Sequence, residues 1–295
     1  MLQQIVLYIL VFVSGLFFGS FLNLVSDRIP KKKKILLGRS KCDHCKKTLN
    51  AKNLLPLVSY ILQNGKCSFC KKRLSFYYPF SELLTGMVFV GVAVYTKIFV
   101  NFSTPTLFVF IYLAIIMSFY IVIALTDFKY KLIPNKIVYP AIIVVITFLV
   151  LNTLIYFYLY HKQLSSDPFG VYLLEAGYLK MQIFAALKTF GILLLSAVGI
   201  AGFFYFLVVI TKGKGMGGGD IKLGFLIGLV NGFPFNIIAV FLGFVLGALV
   251  SVFLILLKKK SIKDTVPFGP FLIVGSVIAL LFGPYIWEYY INLFN

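Results

Sequence analysis

The sequence predicts an all-α polytopic membrane protein with about eight transmembrane helices, and two observations favour this fold class. Of its 295 residues, 60% are hydrophobic and only 13% are charged, whereas a soluble domain has about 25% charged residues. The apolar residues also form long runs, and a run of roughly 18–25 residues can cross a bilayer as a helix. We therefore expect most of the chain to be embedded in a membrane.

The apolar runs define the expected transmembrane helices and divide the chain into three parts. The N-terminal run has no basic segment before it and no small-residue cleavage site, so we expect a retained anchor rather than a signal peptide. The expected parts are a first helix within 1–25, an insertion over 26–78 and a transmembrane domain over 79–295. The predicted spans lie near 4–25, 79–97, 105–126, 136–159, 183–210, 220–232, 234–257 and 266–290, of which the sixth is short.

The net charge of +19 is distributed unevenly between the two predicted faces of the membrane. Four segments on one face hold 24 of the 28 basic residues, and the positive-inside rule makes that face cytoplasmic and both termini external. The charge is therefore explained by topology, with anionic lipids as its partner and no nucleic acid implied. These segments are 26–78, 127–136, 211–222 (with Lys212, Lys214 and Lys222) and 258–263 (with Lys258 to Lys260 and Lys263).

The insertion contains all four cysteines of the protein, as two CxxC pairs separated by twenty-one residues. This spacing suits a tetrahedral tetrathiolate site, the flanking lysines favour thiolates, and a cytoplasmic location disfavours disulfides. We predict a small cytoplasmic zinc-binding insertion, with an iron–sulfur centre or redox thiols as alternatives. Four sulfurs leave no open coordination position, so the metal would fold the loop and take no part in catalysis. The predicted ligands are Cys42, Cys45, Cys67 and Cys70.

Two of the nine acidic residues lie at predicted cytoplasmic helix ends, where ionisable groups are candidates for function. Asp127 ends the third span, and a carboxylate there opposes the helix macrodipole. Asp220 follows Gly217, Gly218 and Gly219, whose lack of side chains allows a sharp turn and the close approach of another chain. The alternative for Asp220 is that it serves as the N-cap of a helix.

Glu82 follows Tyr78-Pro79 at the start of the second span. We expect it in the first helical turn, where the dipole favours an acid. A role in a polar site that the substrate backbone approaches is the alternative.

Two aspartates close together in a low dielectric cannot both ionise easily, so Asp127 and Asp220 would titrate as a unit. This is the asymmetry of an aspartic protease, in which one carboxylate activates water and the protonated one polarises the scissile carbonyl. The only histidines are His44 and His161, and no serine or cysteine with a neighbouring base offers another nucleophile. An ion channel or transporter is the alternative, but it predicts inverted repeats and acids near the mid-bilayer. We see no inverted repeat, and the acids lie at one face.

The motifs together resemble the type IV prepilin leader peptidases, which belong with the GxGD intramembrane aspartic proteases. The resemblance covers nearly the whole chain and implies that Asp127 and Asp220 are the catalytic pair. The motifs are Gly19-Ser20-Phe21-Leu22-Asn23, the two CxxC pairs, Tyr78-Pro79 with Glu82-Leu83, Asp127 with Ile133-Pro134-Asn135, and Gly217-Gly218-Gly219-Asp220-Ile221-Lys222-Leu223.

The resemblance also implies a substrate and a second activity. Members cleave the basic leader from prepilins and pseudopilins at the inner face of the bacterial cytoplasmic membrane, and many then methylate the new N-terminus from S-adenosylmethionine. The residues alone do not demand methylation, since no glycine-rich nucleotide fingerprint follows a strand. They leave the oligomeric state and the residues that bind S-adenosylmethionine unassigned. A peptidase for other leader-bearing substrates such as preflagellins is the alternative, against which the cysteine insertion argues.

Overall fold

The computed structural model describes residues 2–35, 38–42, 44–213, 215–259, 261 and 266–293. Three of the basic residues on the predicted cytoplasmic face, Lys214, Lys260 and Lys263, lie outside these described residues. Within the described part, regular structure is helical apart from two isolated β-bridges in the insertion.

Ten α-helices and one short 3₁₀ turn, Ala51–Leu54, form the described fold. Of these described helices, seven are long and apolar enough to cross a membrane, namely Leu2–Arg28, Tyr77–Tyr95, Thr104–Tyr130, Asn135–Leu164, Tyr178–Ile210, Phe235–Leu256 and Gly269–Asn292. The prediction of an all-α polytopic membrane protein is therefore confirmed. The helices are α1 Leu2–Arg28, α2 Val58–Leu62, α3 Tyr77–Tyr95, α4 Thr104–Tyr130, α5 Asn135–Leu164, α6 Pro168–Glu175, α7 Tyr178–Ile210, α8 Gly218–Asn231, α9 Phe235–Leu256 and α10 Gly269–Asn292.

The remaining predicted span, 220–232, corresponds to α8, which has only 14 residues. Gly224 packs against Phe204, and Gly232 at the end of α8 approaches Leu193, so α8 runs antiparallel along α7. Leu193 lies 17 residues before the end of α7, which corresponds to about 26 Å along the helix axis. The predicted eighth span is thus a helix only about 21 Å long. It runs back along α7 and is shorter than the roughly 30 Å of a bilayer core.

The chain forms two compact units, Met1–Ile137 and Val138–Asn295. In the first unit, α1 packs closely on α3 through glycines four residues apart. A Cβ on Gly15 would lie 2.8 Å from the Cα of Gly86, and a Cβ on Gly19 would lie 2.8 Å from the Cα of Glu82. Small residues at this spacing let membrane helices approach closely, so the two glycines account for the close packing of α1 on α3.

In the second unit, α9 and α10 form an antiparallel pair with glycines at the contact. A Cβ on Gly275 would lie 2.3 Å from the backbone oxygen of Ala239 and 2.7 Å from the backbone nitrogen of Gly243. Nearby, the ring of Phe244 stacks on Phe204 with centroids 6.1 Å apart and lies 4.9 Å from the centroid of Phe268. Close backbone contact and aromatic packing therefore hold this unit together.

Candidate functional site

The structure brings the four cysteines together. Their sulfur atoms all lie within 4.8 Å of one another, and the Sγ atoms of Cys42 and Cys70 are 4.0 Å apart. None of the four forms a disulfide. A tetrahedral zinc site with Zn–S bonds of about 2.3 Å requires sulfurs about 3.8 Å apart. The arrangement therefore fits a tetrathiolate metal site closely.

The two CxxC pairs are folded as copies of one unit, offset by 25 positions, a repeat that the sequence analysis did not identify. In each copy the first cysteine donates its N–H to the residue five positions on, Lys47 or Lys72, at 3.0 and 2.9 Å. Lys46 and Lys71 occupy the left-handed region with φ of 59° and 58°. The sequence signal was present, because both copies read Lys-Cys-x-x-Cys-Lys-Lys-x-Leu, at 41–49 and 66–74.

The thiol groups of the second pair have unequal acidities. Backbone N–H groups of Cys70 and Phe69 donate to the Cys67 sulfur and lower its pKa to about 6. The Lys72 N–H lowers the pKa of Cys70, but burial and hydrogen bonding to the other three sulfurs outweigh it and raise that pKa to about 11. One thiolate therefore forms readily, and further negative charge on the cluster needs a cation to stabilise it.

Asp127 lies in the last turn of α4 and is only 6% exposed. The Asp127 carbonyl accepts the N–H of Lys131 at 2.8 Å, which closes the helix with Lys131 in a left-handed conformation (φ 51°). The preceding Thr126 turns its hydroxyl back to the carbonyls of Val122 and Ile123, both at 2.9 Å. The predicted position of Asp127 at a helix end is thus confirmed, and its side chain is buried within the first unit.

A hydrogen-bonded cluster around Asp27 ties together the helix ends beside Asp127, and sequence reasoning did not single this residue out. The Asp27 carboxylate forms an ion pair with Lys129 and accepts hydrogen bonds from the hydroxyls of Tyr130 at 3.0 Å and Tyr78 at 3.2 Å. The Lys129 ammonium also lies 5.2 Å from the ring centroid of Tyr77, within reach of a cation–π interaction. Because the partners come from α1, α3 and α4, the cluster fixes the segment that carries Asp127.

Glu82 does not lie in the first helical turn, and that expectation is wrong. The helix begins at Tyr77, two residues before Pro79. Proline is tolerated in this first turn because the N–H that it lacks would have no helical partner there. Glu82 is therefore the sixth residue of α3, beyond the turn where the dipole acts. Its buried carboxylate instead accepts the N–H of Leu57, at 2.9 Å, so it binds the insertion to α3.

Asp220 lies at the third position of α8, so the alternative that it is the N-cap residue is wrong. Gly217 occupies the cap, and its N–H donates to the Asp220 carboxylate at 3.0 Å. No described heavy atom lies within 4 Å of a Cβ built on Gly218, and the nearest to one on Gly217 is 3.9 Å away. The backbone before Asp220 is therefore open to approach, as the glycines predict.

The structure brings some of the predicted site residues together, and for others it leaves their joint action as a prediction. The four cysteines form one cluster, and Glu82 joins that insertion to α3. Asp127 belongs to the first unit, and Asp220 belongs to the second unit. Their action as a pair stays a prediction from the sequence.

The fold and the cysteine cluster define a multi-pass helical membrane protein with an insertion suited to metal binding. The family model for the Bacterial Peptidase A24 N-terminal domain matches residues 13–96. A protein of Bacillus subtilis (strain 168) named prepilin leader peptidase/N-methyltransferase is 32% identical over 284 residues, which cover 96% of this chain and 98% of the relative.

Proteins of the same name from Aeromonas hydrophila and Pseudomonas aeruginosa are each 27% identical, over 97% and 94% of this chain and 94% and 91% of their own lengths. No solved structure matches the chain significantly. The chain belongs to the prepilin leader peptidase/N-methyltransferase family, and the resemblance drawn from its motifs is confirmed.

Proposed function

We propose that this protein removes the leader peptide from type IV prepilins and pseudopilins at the cytoplasmic face of the bacterial inner membrane and then methylates the new N-terminus. The observation that carries this proposal is the 32% identity, over 96% of this chain and 98% of the relative, to a protein named for both activities. The match extends over nearly the whole length of both chains, so both units and the insertion contribute to it.

The chemistry of the substrate supports the proposed location of cleavage. A prepilin has an apolar helix preceded by a basic leader, so its cleavage site lies naturally at the membrane–water interface. Asp127 lies in the last turn of α4, and Asp220 lies in the first turn of α8. Both adjoin basic segments, 127–136 and 211–222, that the positive-inside rule assigns to the cytoplasm.

We assign peptide hydrolysis to Asp127 and Asp220, acting as a pair that shares one proton. The ionised carboxylate takes a proton from water, and the oxygen of that water attacks the scissile carbonyl carbon. The protonated carboxylate donates a hydrogen bond to the carbonyl oxygen as negative charge develops there. Proton transfer to the amide nitrogen then releases the amine as the C–N bond breaks. The open backbone at Gly217 and Gly218 would let the extended substrate approach.

The cysteine cluster would hold zinc in a structural role. Its four ligands, Cys42, Cys45, Cys67 and Cys70, leave no position for water or substrate. Zinc bound there would neutralise thiolate charge and close the insertion around its two CxxC units.

The methyl donor, S-adenosylmethionine, would supply a methyl group on a positively charged sulfonium. Among the described residues that line a cavity of about 450 Å³ in the insertion, none carries a carboxylate that could stabilise that charge. We therefore assign no residue to the donor and derive no step of methyl transfer. The lining residues are Gly38, Arg39, Ser40, Leu49, Asn50 and Leu54.

Reconstitution of the purified protein with a candidate prepilin tests this proposal, with leader loss and methyl transfer followed by mass spectrometry. Asp127→Asn and Asp220→Asn should each slow cleavage by about 10²–10⁴-fold, the contribution of a positioned acid or base. Each variant should still methylate a prepilin peptide whose leader has already been removed, because that reaction does not use the pair.

Asp167→Asn is the matched control for these substitutions. Asp167 caps α6 by accepting the N–H of Gly170, and asparagine caps helices about as well, so this variant should cleave normally. Full cleavage by either Asp127→Asn or Asp220→Asn would show that the proposed pair is wrong.

A further inference from the structure

The segment between the two CxxC pairs exposes an unusual amount of apolar surface. Its central helix α2 and the preceding turn expose five large apolar side chains, and the exposed fraction rises to 69% for Ile61 and 76% for Leu62. Large apolar side chains exposed in this number within nine residues of a water-exposed loop would favour association. The five residues, which we call the apolar turn, are Leu54, Leu55, Val58, Ile61 and Leu62.

A hydrogen bond from Leu57 to Glu82 places the apolar turn beside a membrane helix. The Leu57 N–H donates to Glu82 Oε2 at 2.9 Å. Since Glu82 is the sixth residue of α3, this contact lies about 7 Å along the helix from its first residue. The N-terminus of α2 is therefore level with the first turns of a predicted transmembrane helix.

The backbone at Leu57 is held in a conformation that needs support. Leu57 has φ 56° and ψ −49°, and the N–H of Val58 bonds to the carbonyl of Pro56 across it, which is a γ-turn. A leucine in this region is strained. The bond to the buried Glu82 carboxylate stabilises the strained turn and fixes the direction in which α2 leaves it.

A chain of aromatic rings connects α2 to the outer surface of α3. The ring centroids of Tyr60 and Phe76 are 6.4 Å apart, and those of Phe76 and Phe80 are also 6.4 Å apart. Phe76 and Phe80 are 67% and 52% exposed. Because Phe80 lies on a helix expected to face lipid, the apolar surface of the insertion is continuous with a lipid-facing surface.

The charge of the same segment suits one particular partner. Residues 44–76 include seven basic residues and no acidic residue. Lys52 and Lys66, which flank α2 in sequence, are both exposed. Basic side chains around an apolar patch are typical of segments that bind a membrane surface, where each adds about 1 kcal/mol with anionic lipids.

We propose that the apolar turn is inserted in the membrane interface, so that the insertion is a peripheral membrane element rather than a loop surrounded by water. Ile61 and Leu62 lie at the boundary of the acyl chains, and Lys52 and Lys66 contact anionic headgroups. The Glu82 bond to Leu57 sets the depth of α2 in the bilayer.

Tryptophan fluorescence in vesicles of acyl-brominated phosphatidylcholine and phosphatidylglycerol, in equal parts, tests the depth of α2. The chain has one tryptophan, so Trp287→Phe gives a background without tryptophan, to which Leu62→Trp or the control His44→Trp is added. His44 is exposed and lies within the first CxxC unit. Metal content of each variant, measured on the same samples, reports whether the insertion is folded.

We expect the bromines to quench Leu62→Trp at least about twofold more than His44→Trp, because only the former would reach the acyl region. Equal quenching of the two variants, with metal retained, would overturn the proposal. If Leu62→Trp is shielded from the bromines and this shielding is lost when the protein is diluted in the bilayer, the partner of the apolar turn is a second copy of the chain. That result would also overturn the proposal.

Discussion

The two units of this protein solve the problem of packing helices in a membrane in different ways. Of the nine buried polar or charged side chains in the described residues, seven belong to the first unit. Most of them bond to one another or to backbone groups, as when the hydroxyl of Ser81 donates to Asn23 at 2.7 Å. The seven are Asn23, Ser26, Ser81, Glu82, Thr85, Thr126 and Asp127.

The second unit relies mainly on close backbone contact. Gly275 brings α10 against the backbone of α9, and Gly228 brings α8 against Ala197 of α7. Its described residues include two buried polar side chains, Asn236 and Ser276. Asn236 donates to the hydroxyl of Ser196 in α7, and Ser276 accepts from Asn231, the last residue of α8. Apolar side chains are as well solvated by lipid as by another helix, so no hydrophobic effect drives such helices together. Close van der Waals packing between surfaces of matching shape stabilises them instead.

This difference predicts which kinds of change should destabilise each unit. The first unit should respond to the loss of hydrogen-bonding groups, charge and metal, and the second unit should respond to added volume. The polar first unit also contains the insertion and Asp127, so the chemistry proposed for it is built on a scaffold that already stabilises buried polar groups.

Metal removal should have the largest effect, and it should be confined to the insertion. A structural zinc contributes about 10–16 kcal/mol of binding free energy in small zinc-binding folds, which is far more than a short insertion gains from its own packing. Chelation, or Cys42→Ser, should therefore expose the amides of 40–74 to hydrogen exchange while those of α9 and α10 stay protected. Elemental analysis should give one zinc per chain before chelation. Much less than one zinc, or unchanged protection after its removal, would rule out the tetrathiolate site.

Gly275→Ala should destabilise the second unit by about 1–3 kcal/mol, the usual cost of overpacking. The new Cβ would lie 2.3 Å from the Ala239 oxygen, a backbone atom that can move only if α9 moves. Gly191→Ala in α7 is the control, since nothing described lies within 4 Å of its Cβ and alanine favours a helix by about 0.5–1 kcal/mol. Thermal unfolding in detergent should give opposite shifts for the two variants, and equal shifts would contradict the packing.

Asp27→Asn should have the smallest effect on stability, about 1 kcal/mol, because the paired Asp27 and Lys129 side chains are 22% and 34% exposed and solvent screens them. The amide keeps an acceptor for Tyr78 or Tyr130 but loses the charge that balances Lys129. The loss of stability should shrink as salt is added, since salt already weakens the wild-type ion pair. A cost independent of salt would mean that the hydrogen bonds, not the charge, matter at this position.

Much of the fold follows from the sequence because length and hydropathy decide which segments can span a bilayer. The exceptions have physical causes. The predicted span at 220–232 is a helix of only 14 residues that packs along α7, and hydropathy cannot show that packing. The start of α3 was placed too late because Pro79 looks like a boundary but is tolerated within a first turn.

The candidate sites were predicted unevenly for similar reasons. The cysteine site could be predicted from the sequence because the ligand type and the spacing of the cysteines define its geometry. The four cysteines cluster as expected. The Asp27 cluster could not be predicted from the sequence, because Lys129 lies 102 residues from Asp27 and no motif spacing connects the two residues. The role of Glu82 was missed because its partner is a backbone N–H, which no side-chain motif reveals.

The duplication of the CxxC unit has a consequence for how the insertion assembles. Each copy provides only half of a coordination sphere, and the link between them is twenty-one residues long. If the cluster binds zinc as proposed, one copy that has captured the ion would present it to the other as a tethered partner, at an effective concentration of the order of millimolar. The insertion would thus act as a chelator with two arms, in which an ion released by one arm is still held by the other.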